Sequence, residues 1–344
     1  MLQNVSIMNQ NVNQIRRLLS GKCVVALDIN ILSALEKEPE PCWFRQFVEM
    51  GKAGVKFSIP DVCIGEHLEC YDNPINDIRE KWENMASKLN AIIWHELPCL
   101  PMRGDLFRLV GINENNEEWD VCYNDFSCDI SKALYDYFID YTNSPYNKPE
   151  YRARFKNEVE KVRCRWTKLI AGLRKDGIWE TAQLSNCLMS CLTEEQTARL
   201  SAQGIAQLEL VEKLKSIQKK QLCDSMLRDW RQHFSSADIV DRLALPFCFA
   251  IEHASDLEYD SSAKHCRYRG HRIKPRNDGV DYQILLLTMA SINICSFDGF
   301  FQRVHDLNLT KSCSCYTPES LCGGWVSDKK VLLDKLVRVD VPME

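Results

Sequence analysis

No stretch of this 344-residue chain stays apolar for long. The longest such runs fall well short of the roughly 18–20 residues that a spanning helix needs, so no membrane passage is expected. The opening MLQNVSIMNQNVNQ lacks the apolar core of a secretion signal before the chain turns basic at Arg16 and Arg17. A cytoplasmic location is the expectation. Excess positive charge is also missing: the formal net charge is −5, so any contact with nucleic acid requires a local basic patch. No Gly-rich phosphate loop, G-x-S-x-G elbow or H-E-x-x-H motif occurs, nor a fixed repeat or low-complexity tract. The composition, 45% hydrophobic and 26% charged, suits a soluble globular protein. The length allows two domains, or one domain with a large insertion.

Cysteine is abundant, with seventeen residues, but lacks zinc spacing. Cys187 and Cys191 lie four apart with no nearby His. Cys313, Cys315 and Cys322 have only His305 upstream. Neither set forms the paired knuckles of a structural zinc site. The odd, scattered thiols are expected to be packed in the interior rather than joined.

The pattern along the chain predicts an α/β protein. A short helix is expected over 11–20, then a buried strand over 22–28, whose β-branched residues show no alternation. Helical spacing covers 29–37 and 43–52. A second strand covers 55–60, and Pro60-Asp61 opens a helix that reaches about Tyr71. Strand–helix–strand–helix implies a parallel sheet covered by helices. Residues 76–91 read as a charged helix, and 148–255 as mostly helix. The α/β signal then returns with an apolar helix over 280–291, a strand over 292–297, a short helix over 299–308 and a last strand over 336–341. Neither α/β piece alone supplies a sheet. The expected organisation is one discontinuous domain, 1–75 with 265–344, interrupted by a mainly helical insertion, 76–264.

Acidic residues fall at one edge of that sheet. Asp28 ends the first strand and Asp298 the strand INICSFD. Asp278 and Asp281 sit three apart at the start of the apolar helix, and Glu66 lies in the helix after the second strand. Ligands gather at the carboxyl ends of parallel strands and at the adjoining helix starts. Clustered carboxylates repel one another, and a divalent cation relieves this. Mg²⁺ and Mn²⁺ favour carboxylate oxygen and water, and can activate water for phosphodiester cleavage. Each residue alone also fits a structural role: Asp28 as a helix cap, Glu66 on a solvated face beside His67 and Glu69, Asp278 as an N-cap, Asp298 in a turn.

Four stretches, VVALDINIL (24–32), SIPDVCIGEHLE (58–69), NDGVDYQILLLTMA (277–290) and ICSFDGFF (294–301), resemble the PIN-domain nucleases. Asp28 and Asn30 match the Asp-x-Asn that closes the first strand, and Glu66 matches the Glu after the second. Asp281 matches the Asp opening a later helix, with Asp278 as a supplement. Ser296, Asp298 and Phe301 match [ST]-x-D-x-x-F. The likeness covers roughly 150 residues, in family order. It departs from the family in the interval between Glu66 and Asp281, more than 200 residues where small PIN domains have a few helices. The resemblance implies a PIN-like three-layer domain and metal-dependent ribonuclease activity. Asp28, Glu66, Asp281 and Asp298 would be catalytic and, with Asp278, would hold Mg²⁺ or Mn²⁺, oriented by Asn30 and Ser296. Many relatives are toxins restrained by a partner or effectors of phage defence, so an inhibitory or activating protein partner is a further expectation.

Residues 264–276, KHCRYRGHRIKPR, hold six Lys or Arg and run directly into Asn277-Asp278. Arg267, Arg269, Arg272, Lys274 and Arg276 are candidate phosphate ligands for a nucleic acid, expected to be RNA. A solvated loop is the alternative. The rival function is a non-catalytic PIN-like scaffold that binds a protein or RNA partner through the insertion. An aspartyl phosphatase is disfavoured because Asn30 stands where that chemistry wants a second Asp.

Overall fold

The structure is a computed structural model that describes residues 13–69, 77–100, 106, 109–111, 149–176, 193–202, 207–233, 237–260, 265–268, 271–273, 278–301 and 315–342. The chain forms two compact units, Met1–Val162 with Val280–Glu344, and Arg163–Gly279. These boundaries differ from the expected 75 and 265. Both fall inside helices, α6 (Pro149–Asp176) and α10 (Asp278–Leu285).

The first unit is built on a five-stranded sheet in which every pair is parallel. After helix α1 (13–19) come β1 (Val24–Leu27), α2 (Ile29–Lys37), α3 (Phe44–Lys52) and β2 (Lys56–Pro60). Next are α4 (Asp61–Glu69), α5 (Asp77–Ile92) and β3 (Cys99–Leu100). The sheet resumes after the second unit with β7 (Asn293–Cys295) and β8 (Cys315–Tyr316), followed by α11 (Pro318–Ser327) and α12 (Lys329–Lys335). The strand order is β3-β2-β1-β7-β8. The chain leaves β1 outward to β2 and β3, then returns to build β7 and β8 on the other side. The order therefore reverses between β1 and β7, which creates a crevice at their carboxyl ends.

Continuous burial explains the strands. Val24, Val25, Ala26 and Leu27 are all fully buried, as a strand covered on both faces requires. Phe47 of α3 stacks on Phe57 of β2 with ring centroids 4.8 Å apart. Each buried aromatic of this kind contributes about 1.5–3 kcal/mol.

Three expectations are corrected in this unit. Residues 336–341 are not a strand, although LVRVDV is rich in β-branched residues. Their backbone is fastened by other means: Val337 N–H donates to Asn293 Oδ1 at 3.1 Å, and Asn293 Nδ2 donates to Val337 O at 2.9 Å. Val339 exchanges hydrogen bonds with the turn at Gly21 and Lys22. The helix expected over 280–291 begins at Asp278 and tightens to a 3-10 turn over Leu286–Ala290. There Thr288 Oγ1 donates to Leu285 O at 2.7 Å, a local bond that competes with the α-helical pattern. The two-residue strands β3 and β8 were not expected. β3 comes from within the 76–264 stretch. Of the helix expected over 299–308, residues 302–308 lie outside the described residues.

The second unit contains α7 (Glu194–Ala202), the pair α8 (Gln207–His233) and α9 (Ala237–Asp256), and a small antiparallel sheet. That sheet is β4 (Leu257–Asp260), β5 (His265–Tyr268) and β6 (His271–Ile273). α8 and α9 are tied by Lys219 and Glu252 at 2.6 Å and by an edge-on contact of Trp230 with Phe247. Trp166, Phe249 and His253 pack together around the start of α10. Gly279 permits this packing, because a Cβ there would lie 2.9 Å from Trp166 Cβ and 3.1 Å from Arg163 Cα. No described helix is long and apolar enough to cross a membrane.

Candidate active site

Asp28 stands directly after β1, at the point where the strand order reverses. Its carboxyl is 1% exposed and accepts four hydrogen bonds. Oδ1 accepts from Ile29 N at 2.6 Å and, weakly, from Cys63 Sγ at 3.8 Å. Oδ2 accepts from Asn30 Nδ2 at 2.7 Å and from Ser296 Oγ at 2.6 Å. The helix-capping role is thus real, but it uses one oxygen. The other reaches across to β7.

Ser296 and Asn30 complete a closed circuit. Ser296 Oγ accepts from Asn30 Nδ2 at 2.9 Å and from Asp298 N at 2.8 Å while it donates to Asp28. Asn30 Oδ1 accepts from Phe297 N at 3.1 Å. Asp298 is exposed, and its Oδ1 accepts from Phe300 N at 2.7 Å, so the expected turn role is also present. The polar groups of Asn30 and Ser296 are committed to fixing Asp28 and the loop that carries Asp298.

The remaining carboxylates act electrostatically on the groups around Asp28. Burial, above all, pushes Asp28 up to about 6; the charge of Asp298 adds to the rise, and the bonds from Ser296, Ile29 and Cys63 oppose it. Burial likewise pushes the Cys63 thiol well above its ordinary value, helped in turn by the charges of Asp28, Glu66 and Asp281. One buried thiol on α4 therefore feels three of the four expected carboxylates, and Asp28 feels the fourth. Glu66 and Asp281 are both half-buried. The adjacent His67 turns to the other side of α4 and is 3% exposed, and burial lowers the pKa of its imidazole to about 4.

Asp278 has a different setting. It belongs to the second unit, where its Oδ2 lies 3.3 Å from Nε2 of the fully buried His253. In the basic segment, Arg267 and Arg272 are direct cross-strand partners in a β-hairpin rather than in a loop. Arg269, Lys274 and Arg276 lie outside the described residues, as do Cys187, Cys191, His305 and Cys313. Ten cysteines, Cys63 and Cys295 among them, are free thiols.

Two residues at this edge were not anticipated. Asp61 follows β2 and is 3% exposed, so a third strand end carries a carboxyl, and like that of Asp28 it is buried. The dipeptide Pro60-Asp61 signals a helix start, which hides that placement. Cys63 lies two residues further on and fills the space beside Asp28.

Among the described residues, no three His, Cys, Asp or Glu side chains are close enough to enclose one ion. The donor chemistry nevertheless fits a hard divalent cation. Such an ion keeps much of its water and needs only one or two carboxylates, and the strained ionisation of Asp28 is what a nearby cation relieves. No known family matches the chain, and no curated protein or solved structure is detectably similar to it.

Proposed function

We propose that this chain is a Mg²⁺- or Mn²⁺-dependent nuclease with a PIN-like catalytic domain, hydrolysing phosphodiesters in RNA. The observation that carries the reading is the Asp28–Asn30–Ser296–Asp298 circuit at the reversal point of a parallel sheet, with Glu66 and Asp281 acting on the same buried thiol. The order of these residues along the chain is that of the PIN-domain nucleases.

Asp28, Glu66, Asp281 and Asp298 would hold the ion. When bound, it supplies Lewis-acid stabilisation of a phosphoryl oxygen and lowers the pKa of a water. The protein's own part is orientation. Oδ2 of Asp28 is occupied by Ser296 and Asn30, so Oδ1, whose second donor is only the weak Cys63 thiol, is the oxygen open to a cation. Asn30 also holds the Phe297 amide, which keeps Asp298 in step with Asp28. Phosphate binding by the Arg267–Arg272 hairpin is part of the proposal, since the cross-strand register puts two basic residues opposite one another, as suits a polyanion. Control by a protein partner fits the same reading.

A second reading, a non-catalytic scaffold, is favoured by one observation: the carboxylates do not close around a single point. Cleavage of labelled single-stranded RNA, tRNA and single-stranded DNA separates the two. Wild type is compared with Asp28→Asn and Asp298→Asn in Mn²⁺, Mg²⁺ or EDTA. Metal-dependent cleavage lost in both variants supports the nuclease. Absence of both cleavage and calorimetric Mn²⁺ binding supports the scaffold.

A further inference from the structure

Three phenylalanines close the acidic edge in the run Phe297-Asp298-Gly299-Phe300-Phe301. Two are buried: Phe300 and Phe301 are 1% and 2% exposed, and their rings meet edge to face at 5.3 Å. Phe297 is 42% exposed. A single exposed apolar side chain is ordinary on a protein surface, so exposure alone argues nothing. What distinguishes Phe297 is how it is held.

Its amide donates to Asn30 Oδ1, the residue before it bonds Asp28 through Ser296 Oγ, and the residue after it is fixed at both its N–H and its carboxylate. A flexible loop tip would let the ring fold back beside Phe300. This one is anchored on three consecutive residues, and the ring stays outside. The anchors are the same side chains that orient the carboxylates, so the backbone that carries the ring is held beside that of Asp298.

We propose that Phe297 is a stacking platform for an unpaired nucleobase next to the cleaved phosphate, which makes the site selective for single-stranded nucleic acid. The inference rests on the nuclease reading of the acidic edge and names its substrate class. A flat aromatic ring recognises any base through its π face, at little entropic cost when the backbone beneath is rigid. A paired base has both faces covered by its neighbours in the helix, so a duplex cannot use the platform without unstacking.

The test uses the full chain in EDTA, where binding is read without cleavage. Fluorescence anisotropy measures the affinity of wild type, Phe297→Ala and Phe297→Trp for labelled oligouridine, an abasic strand of the same length and an RNA duplex. Stacking predicts a loss of about tenfold for oligouridine in Phe297→Ala. Phe297→Trp retains affinity, and its indole fluorescence is quenched on binding. The abasic strand and the duplex bind wild type and Phe297→Ala alike. Melting temperatures of the variants establish that they are folded, and Phe297→Trp keeps the test valid if Phe297→Ala is not. Equal oligouridine affinity in folded wild type and Phe297→Ala, or no quenching in Phe297→Trp, overturns the platform. If Asp28→Asn still abolishes metal-dependent cleavage in that case, the nuclease reading survives alone. If wild type neither binds nor cuts RNA, both fail.

Discussion

Ser296 Oγ lies 2.6 Å from Asp28 Oδ2, although 268 residues separate the two along the chain. The bond joins the ends of adjacent parallel strands, β1 and β7, on either side of the reversal in strand order. It means that the first and last thirds of the sequence must fold together before Asp28 acquires its environment.

Replacing Ser296 with Ala removes a donor to a buried carboxylate. That bond opposes the rise in the Asp28 pKa, so its loss raises the value further. Stability falls by about 1–3 kcal/mol, because Asn30 and Asp298 N–H also lose an acceptor. Carbon-detected carboxyl NMR titration and urea unfolding measure the two effects. An unchanged Asp28 titration counts against the role given to Ser296.

The raised pKa of Asp28 fixes the sign of a pH effect. A carboxyl whose value climbs from 3.8 to about 6 on folding binds more protons folded than unfolded between those limits. Its contribution therefore makes the metal-free protein lose stability as pH rises from about 4 to 6, by up to ~3 kcal/mol, and level off above. Asp28→Asn should lack that segment of the stability curve. Denaturant midpoints from pH 4 to 8, with EDTA present, compare the two proteins.

A divalent cation acts against this penalty. At neutral pH, Mn²⁺ at about 100 times its Kd should stabilise wild type by ~2.7 kcal/mol. The gain shrinks below about pH 6, where Asp28 takes up a proton, and is reduced in Asp28→Asn and Asp298→Asn. Thermal scans with and without Mn²⁺ read this directly. Equal shifts in all three proteins would assign the metal elsewhere.

The parts of this arrangement legible in the sequence are those written as continuous local signals. VVAL is an apolar run and INIC a mostly apolar one, each followed by polar side chains, so the strands, their parallel arrangement and the carboxylates beyond them could be read directly. Cys99–Leu100 and Cys315–Tyr316 are too short to show any period. LVRVDV has the composition of a strand, but Asn293 supplies the partners its backbone needs. Asp61 was hidden because Pro-Asp announces a helix start whether or not the carboxyl is buried. The pairing of Asp278 with His253 depends on a tertiary contact of residues 25 positions apart, which no local spacing announces.

Gly279→Ala should destabilise the protein by about 1–3 kcal/mol. The added Cβ meets Trp166 Cβ and the Arg163 backbone at distances that neither can yield without moving α6 or α10. Urea unfolding measures the cost. A neutral result would mean that the helix start and α6 separate easily.

Asp278 and Asp281 lie three residues apart on one helix yet should behave as different kinds of residue. Asp278 is almost buried and faces the imidazole of His253 at 3.3 Å, with Trp166 and Phe249 around that ring. Asp281 is half-buried and acts on Cys63 together with Asp28 and Glu66. Asp281→Asn should weaken Mn²⁺ binding at least tenfold, since a hard cation loses one of the few charged oxygens available to it, and should change stability by less than about 1 kcal/mol. Asp278→Asn should do the reverse: a loss of about 1–3 kcal/mol from disturbing a buried polar pair, with Mn²⁺ affinity changed by less than about threefold. Calorimetric titration and urea unfolding of the two variants give all four numbers. A large loss of Mn²⁺ affinity in Asp278→Asn would move that residue into the metal site, and His253 would then have to be counted among the groups that hold a metal ligand in place.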